Sequence, residues 1–252
     1  YSATATVGSL TATAVRTVGV SGKWVRAALS FVGITHDFKV DAATVAIGGV
    51  TLTAVNAANA DVMRITGGVL EITTKDAAHA YSSSAWDAPY VTFSPTALNA
   101  SYSRYKRSRL QFKCTHPGTG ATLQQLQMGW VGEGTDNTLT LRLDGGTQDL
   151  QGYAIADASS SVTVAVVAVA GLAVIEKYGE YARMWYGAAG SAFLEEGDAG
   201  LTHVVSAAYP KDMSDADRWD GDASILIANH NGGTTGTPSL IQISGIQLDC
   251  EA

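Results

Sequence analysis

Ile241-Gln242-Ile243-Ser244-Gly245-Ile246-Gln247-Leu248 is the stretch on which the fold turns. Apolar residues alternate with small or polar ones, a period of two rather than 3.6, and this predicts a strand with one face on a core. The same pattern recurs in Thr51-Leu52-Thr53-Ala54-Val55, Leu70-Glu71-Ile72-Thr73, Thr138-Leu139-Thr140-Leu141-Arg142-Leu143 and Ser161-Val162-Thr163-Val164-Ala165-Val166. Turn signals separate the runs: Gly48-Gly49, Gly67-Gly68, Asp144-Gly145-Gly146, Asp220-Gly221 and Asn231-Gly232-Gly233. Many short strands so spaced predict an all-β protein, a sandwich or barrel. Helical signal is thin. Only Ser214–Arg218, with Ser214 as a cap, is expected to form a short turn.

Composition bounds the rest. Of 252 residues, 16 are Lys or Arg and 23 Asp or Glu, so 15 % are charged, below the roughly 25 % of ordinary domains. The 46 % of hydrophobic residues include 39 Ala and 22 Val, so the apolar share is mostly small side chains, yet enough for a core. A net charge of −7 excludes a general nucleic-acid binder, since phosphate contacts need a cationic surface. Val162–Ile175, the most apolar stretch, is fourteen residues long, too short for a helix to span a bilayer, and its valines read as strand. A soluble protein without a membrane span is expected. The start at Tyr1 lacks a basic, then apolar, leader and reads as a processed or trimmed chain. Cys114 and Cys250 make neither a disulfide framework nor a four-ligand zinc site; they are expected as buried thiols or one bridge.

One boundary is expected. Residues 61–252 read as regular sandwich, whereas residues 1–60 open with an Ala/Thr/Val run over Tyr1–Thr17. Such a strand has small residues on both faces and a weakly specified register. As an edge with a single charge, Arg16, it is prone to pair with another chain, so residues 1–60 are expected to be an N-terminal β extension or assembly arm, with the first strand of the sandwich as the alternative.

The order of segments then carries a resemblance. Gly67-Gly68-Val69-Leu70-Glu71-Ile72 opens it, followed by Arg109-Leu110-Gln111-Phe112-Lys113 and Gln127-Met128-Gly129-Trp130-Val131-Gly132. Val174–Gly187 reads as a hairpin turning at Gly179, and Ser224–Asn229 and Ile241–Leu248 close the chain. Over residues 61–252 this order resembles the concanavalin A-like, or laminin-G-like, jelly roll. The resemblance implies a two-sheet antiparallel jelly-roll sandwich. Lectins, glycoside hydrolases, polysaccharide lyases, adhesion modules and phage fibre or head-decoration domains share that fold.

Chemistry is sparse in the sequence. The paired carboxylates that retaining jelly-roll glycosidases commonly hold on one strand, Glu-x-Asp-x-x-Glu or Glu-x-Asp-x-Glu, are absent. Glu176, Glu180, Glu195, Glu196 and Asp198 are the nearest groups, and they are expected in solvated turns. A lyase of this fold would want Arg, Gln, His and Tyr on one face, but no Gln-x-His pair occurs. Five of the sixteen basic residues lie in residues 104–113 with no acid among them. Arg104, Lys106, Arg107 and Arg109 are candidates to hold an anionic glycan, a phosphate-bearing surface or an acidic neighbour. The alternative is a strand face solubilised by its charges.

Five Asp between Asp212 and Asp222 make Asp215, Asp217, Asp220 and Asp222 candidate calcium ligands, since hard cations take several oxygens on a flexible loop. Sugars stack on exposed aromatic rings. Candidate platforms are Trp86, Tyr90, Tyr102, Tyr105 and Trp219, whereas Trp130 and Trp185 are expected in the core and Trp24 as a staple for the N-terminal segment. His36, His79, His116, His203 and His230 form no constellation. Asn99-Ala100-Ser101 matches a glycosylation sequon. Together these point to a non-enzymatic structural or adhesion module of a virion or cell surface, binding surface glycans and assembling with itself or with other surface proteins. A lectin-like domain or a polysaccharide-degrading enzyme is the alternative.

Overall fold

The structure is a computed structural model. It describes residues 24–75, 81–82, 85–103, 106–115, 124–131, 138–144, 150–155, 160–164, 170–178, 181–188, 190–193, 202–203, 211–212, 224–231 and 240–252. The first ten strands are β1 Trp24–Ser30, β2 His36–Asp37, β3 Thr44–Ile47, β4 Val50–Val55, β5 Ala60–Thr66, β6 Val69–Thr74, β7 Tyr81–Ser82, β8 Ala85–Trp86, β9 Tyr90–Phe93 and β10 Ser108–Thr115. The next five are β11 Gln124–Val131, β12 Thr138–Asp144, β13 Leu150–Ile155, β14 Ser160–Val164 and β15 Ala170–Tyr178. The chain closes with β16 Tyr181–Ala188, β17 Thr202–His203, β18 Lys211–Asp212, β19 Ser224–Asn231 and β20 Ile241–Glu251.

Apart from β7 and β8, which pair with each other, these strands form two large antiparallel sheets. The first has the order β17-β16-β15-β10-β20-β6-β5-β2, with β1 also on β20 and β18 also on β16; the second runs β14-β13-β12-β11-β19-β9-β4-β3. The sheets pack as a jelly-roll-like sandwich. Leu110, Phe112, Ile175, Ile246 and Leu248 of the first face Leu126, Met128, Trp130, Leu139 and Ile225 of the second in one core cluster. Burying these side chains contributes roughly 1.5–3 kcal/mol each. Asn229 Nδ2 reaches from β19 to the Ile72 carbonyl of the other sheet at 2.9 Å, so a polar group placed in the core is bonded there.

The longest strand organises the first sheet. One edge of β20 pairs with β10 along its length, and the other takes β6 at Ile241–Ile243 and β1 at Gly245–Glu251. Ser244 is an extra residue: Cys114 lies opposite Ile243 and Lys113 opposite Gly245. This bulge resets the alternation, which is why Ile243 and Ile246 both face the core although three residues apart. β15 and β16 pair antiparallel with Tyr178 opposite Tyr181; the turn expected at Gly179 lies outside the described residues.

Residues 24–60 are shared between both sheets through β1 to β4, and Ala27, Leu29, Leu52 and Ala54 are core residues. Of the residues 1–60 expected as an extension or arm, residues 1–23 lie outside the described residues. Pro95–Leu98 forms one helical turn that the sequence reading missed, with Pro95 at its first turn. The expected turn at Ser214–Arg218 lies outside the described residues. Among the described residues no helix is long and apolar enough to cross a membrane.

Candidate functional site

Alternation in β10 puts Leu110, Phe112 and Cys114 inward and Arg109, Gln111 and Lys113 on the outer face of the first sheet. Register then aligns residues from distant parts of the chain across five strands. Arg26 lies opposite Asp249, Asp249 opposite Arg109, Arg109 opposite Glu176, and Glu176 opposite Arg183. The result is a row of alternating charge. Directly opposed unlike charges stabilise a sheet.

The row is held by side-chain bonds. Arg26 grips Asp249 bidentately, Nε to Oδ1 at 2.7 Å and Nη2 to Oδ2 at 3.2 Å. Gln111 and Gln247 donate to the same Oδ2 at 3.2 and 3.1 Å. Glu176 accepts from Arg107, and Arg109 approaches its other oxygen at 3.5 Å. The Trp24 ring lies beneath both guanidiniums, 5.1 Å from Arg107 and 4.7 Å from Arg109. That contact is a cation–π pair with the ring of the first strand. Farther along the sheet, Glu71 is bonded by Arg64 at 2.8 Å and Gln242 at 2.9 Å.

Beside the ions lies a small apolar patch. Leu172, Val174 and Trp185 are buried on this face, with Phe193 packed against them. Phe193 also lies over Gly245, where a Cβ would stand 3.4 Å from the ring, and the Lys113 ammonium sits 4.6 Å above that ring. Gly245 thus leaves room for an aromatic ring flat on the sheet.

Several expectations change. Arg109 is fully buried and ion-paired, so it is not a surface anion contact. Arg107 keeps 44 % of its side chain exposed, and Lys106 is exposed. Glu176 is not in a solvated turn: it is buried and carries two arginines, because β15 runs straight to Tyr178 and turns the residue onto its neighbour. Tyr102 is no sugar platform, since its ring stacks on the buried Trp130 at 5.0 Å and 21°. Tyr90 is half-buried against Ala88, Leu226 and Ala228 on the outer face of the second sheet, and burial and then nearby Asp41 push its phenol pKa up. Trp130 is core as expected, while Trp185 is buried on the opposite face of the first sheet. Trp24 does staple β1 to β10. Asn99 of the sequon is buried, its amide donating to the Val25 carbonyl at 2.8 Å.

Cys114 and Cys250 are free thiols. Both face inward on adjacent strands, but Cys114 pairs across with Ile243 and Cys250 with Ser108, at opposite ends of the ladder. Six residues of strand, about 20 Å, separate them, far beyond disulfide reach. Burial raises both thiols to about 12. Arg104, Tyr105, Trp219, Asp215, Asp217, Asp220 and Asp222 lie outside the described residues. Trp86 lies in β8, opposite Tyr81. Among the described residues no group of three or more His, Cys, Asp or Glu gathers as a metal site.

Fold and register together define a two-sheet antiparallel β-sandwich with an ion-rich outer face. Comparison with protein-family models finds no match, and no curated protein matches the chain. Solved structures are similar in fold. A protein of unknown function from Shewanella oneidensis MR-1 has a TM-score of 0.50 at 14 % identity, over 93 % of this chain and 89 % of that one. A mutant of the GH43 protein BlXynB from Bacillus licheniformis has a TM-score of 0.58 at 12 % identity, covering 86 % of this chain and 39 % of its own. The chain thus spans well under half of that protein. The CBM2 module of the evolved Dit of Lactobacillus casei BL23 phage J-1 has a TM-score of 0.49 at 13 % identity, over 90 % and 97 %. At these identities the likeness is one of fold.

Proposed function

We propose that the chain is a non-enzymatic structural or adhesion module of a virion or cell surface that binds surface glycans through the outer face of its first sheet. One observation carries this reading. The face is furnished with arginines, amides and aromatic rings, while its buried carboxylates Glu71, Glu176 and Asp249 are each engaged by side chains of the same face. A glycosidase needs one carboxyl to deliver a proton and another to attack or activate water. Carboxylates clamped by guanidiniums and amides instead hold the face rigid, and a rigid polar face with aromatic rings suits recognition.

The low charge, the Ala, Thr, Gly and Val richness and the run at residues 1–17, whose one charge is Arg16, support a surface-assembly role. In this reading residues 1–23 act as the assembly arm. The experiment is a panel of surface and plant polysaccharides, scored for binding and for product release in the same samples. Binding without cleavage is expected. Release of reducing ends or unsaturated products would make the chain a polysaccharide-degrading enzyme instead, and an absence of any binding would remove the glycan role. Solution mass before and after deletion of residues 1–20 tests the arm: a multimer should fall to monomer.

A further inference from the structure

We infer that the outer edge of β1 is the dock for the assembly arm, and that its occupant is the Ala/Thr/Val run of a second copy of this chain, added to the first sheet as a strand. This rests on the assembly-arm reading above. Among the described residues β1 pairs on one side only, with β20. Alternate residues of a strand turn their N–H and C=O to opposite sides, so β1 offers backbone groups along its other edge. Both ends of that edge are closed. Asn99 donates to the Val25 carbonyl at 2.8 Å, and Phe31 bridges to Gly68. Residues 26–30 are left between them, a stretch of five.

A small cavity lies against this stretch. Residues 27–30 form one wall, and four consecutive residues can do so only along a backbone edge, since each face of a strand shows every second side chain. Ile47, Val50 and Leu98 complete it. Its volume of about 20 Å³ admits a methyl-sized group but no Leu or Phe side chain.

The edge also lacks the usual guards. Sheets blunt their edges with Lys, Pro or bulges, whereas Ala27, Ala28, Leu29 and Ser30 are uncharged and Arg26 is turned onto Asp249. The N-terminal run matches it. Ala3-Thr4-Ala5-Thr6-Val7 and Thr11-Ala12-Thr13-Ala14-Val15 are each five residues long, uncharged and free of any side chain larger than Val. Residues 16–23 join this run to Trp24 and extend to about 30 Å, enough to cross to a neighbouring copy. A two-residue reversal of the chain on itself at the Ser21-Gly22 turn signal would instead set Arg16 opposite Ala27, a core residue, and bury its charge. A strand given by a second copy is under no such register.

Full-length chains test the pairing. Ala28→Cys is mixed under mild oxidation with chains that carry a cysteine at each of residues 3–7 and 11–15 in turn; the native thiols are buried. A disulfide between two chains is expected for at least one position, and none for Ala28→Cys alone. In sedimentation, Ala28→Lys, which puts a charge on the edge, should raise the dissociation constant about tenfold. Ala5→Pro with Thr13→Pro, which removes strand N–H donors, should do the same without touching the described fold. Val40→Lys, at an exposed apolar residue away from β1, should assemble like the parent. A thermal melt identifies an Ala28→Lys chain that has lost its fold. Parental assembly by both the edge and the proline variants would overturn the inference, and if deletion of residues 1–20 still gave monomers the arm reading would stand with its dock elsewhere. A parent that sediments as a monomer would overturn both. So would a disulfide formed within single chains bearing both cysteines and none between chains, since the run would then be a strand of its own sandwich.

Discussion

On the outer face of the first sheet Arg109, Asp249 and Glu176 are buried as ions, whereas the outer face of the second sheet buries Leu226, Ala228, Gln127 and Gly129. These residues are removed from water on both faces, but by different means. An ion is tolerated there only with its partners in place, so the first face is sensitive to which residue is lost. At Leu226 and Ala228 the second is sensitive to volume, because apolar groups have no partner to strand. A face that must meet a ligand gains from the first arrangement: its side chains are held in position before anything binds.

The largest effect is expected where one ion loses its counter-charge. Glu176→Ala should cost about 3 kcal/mol in urea unfolding, since Arg109 stays buried while Arg107 can turn to water. The paired replacement Arg109→Met with Glu176→Leu should recover most of that, and a pair as unstable as Glu176→Ala would show that the row is more than local charge pairing. On the second sheet, Leu226→Ala should cost about 2–3 kcal/mol by leaving a cavity. A loss under about 1 kcal/mol would mean that this face is less closely packed than the first.

Glycine positions sharpen the contrast further. At Gly129 a Cβ would stand 2.1 Å from the Leu139 carbonyl and 2.8 Å from Ile175 Cδ1, so Gly129→Ala should cost about 2 kcal/mol. The thiols then probe the inner face behind the ion row. Both titrate at about 12 when folded against 9.0 as an ordinary value, so the unfolded chain loses its thiol protons first as pH rises above 9.0. Their stabilisation is complete below that pH and is lost on approaching 12, by up to about 1.4 kcal/mol per pH unit for each thiol. Cys114→Ala with Cys250→Ala should flatten this part of the stability curve, and reducing agent should leave the parent unchanged. The smallest effect is expected at Gly245→Ala, under about 1 kcal/mol, because its Cβ would meet the Phe193 ring at 3.4 Å and the Leu29 carbonyl at an ordinary 3.8 Å.

Alternation along Leu110, Phe112 and Cys114 made the core face of β10 legible, and the same alternation named Arg109 as an outward residue without revealing that it is buried. Tyr102 misled because its neighbours in sequence are polar, while its ring partner, Trp130, comes from a different sheet. Phe193 carried no signal: a lone aromatic in a loop gains its role only from Gly245 and Lys113 beneath it. Gln111 and Gln247 were unremarked for the same reason, since an amide facing outward on a strand reads as solvated until a carboxylate is found beside it.

The amino-acid sequence by itself determined the all-β class, several of the strands, the pairing of β15 with β16 and the inward set of β10, because each follows from local period and turn chemistry. Tertiary structure alone decided the ion row. Its bonds join residues 67, 138 and 223 positions apart, Arg109 to Glu176, Gln111 to Asp249 and Arg26 to Asp249. Which charges meet there depends on strand order and register, and the bulge at Ser244 changes that register by one residue partway along β20. A shift of one residue moves every side chain to the other face.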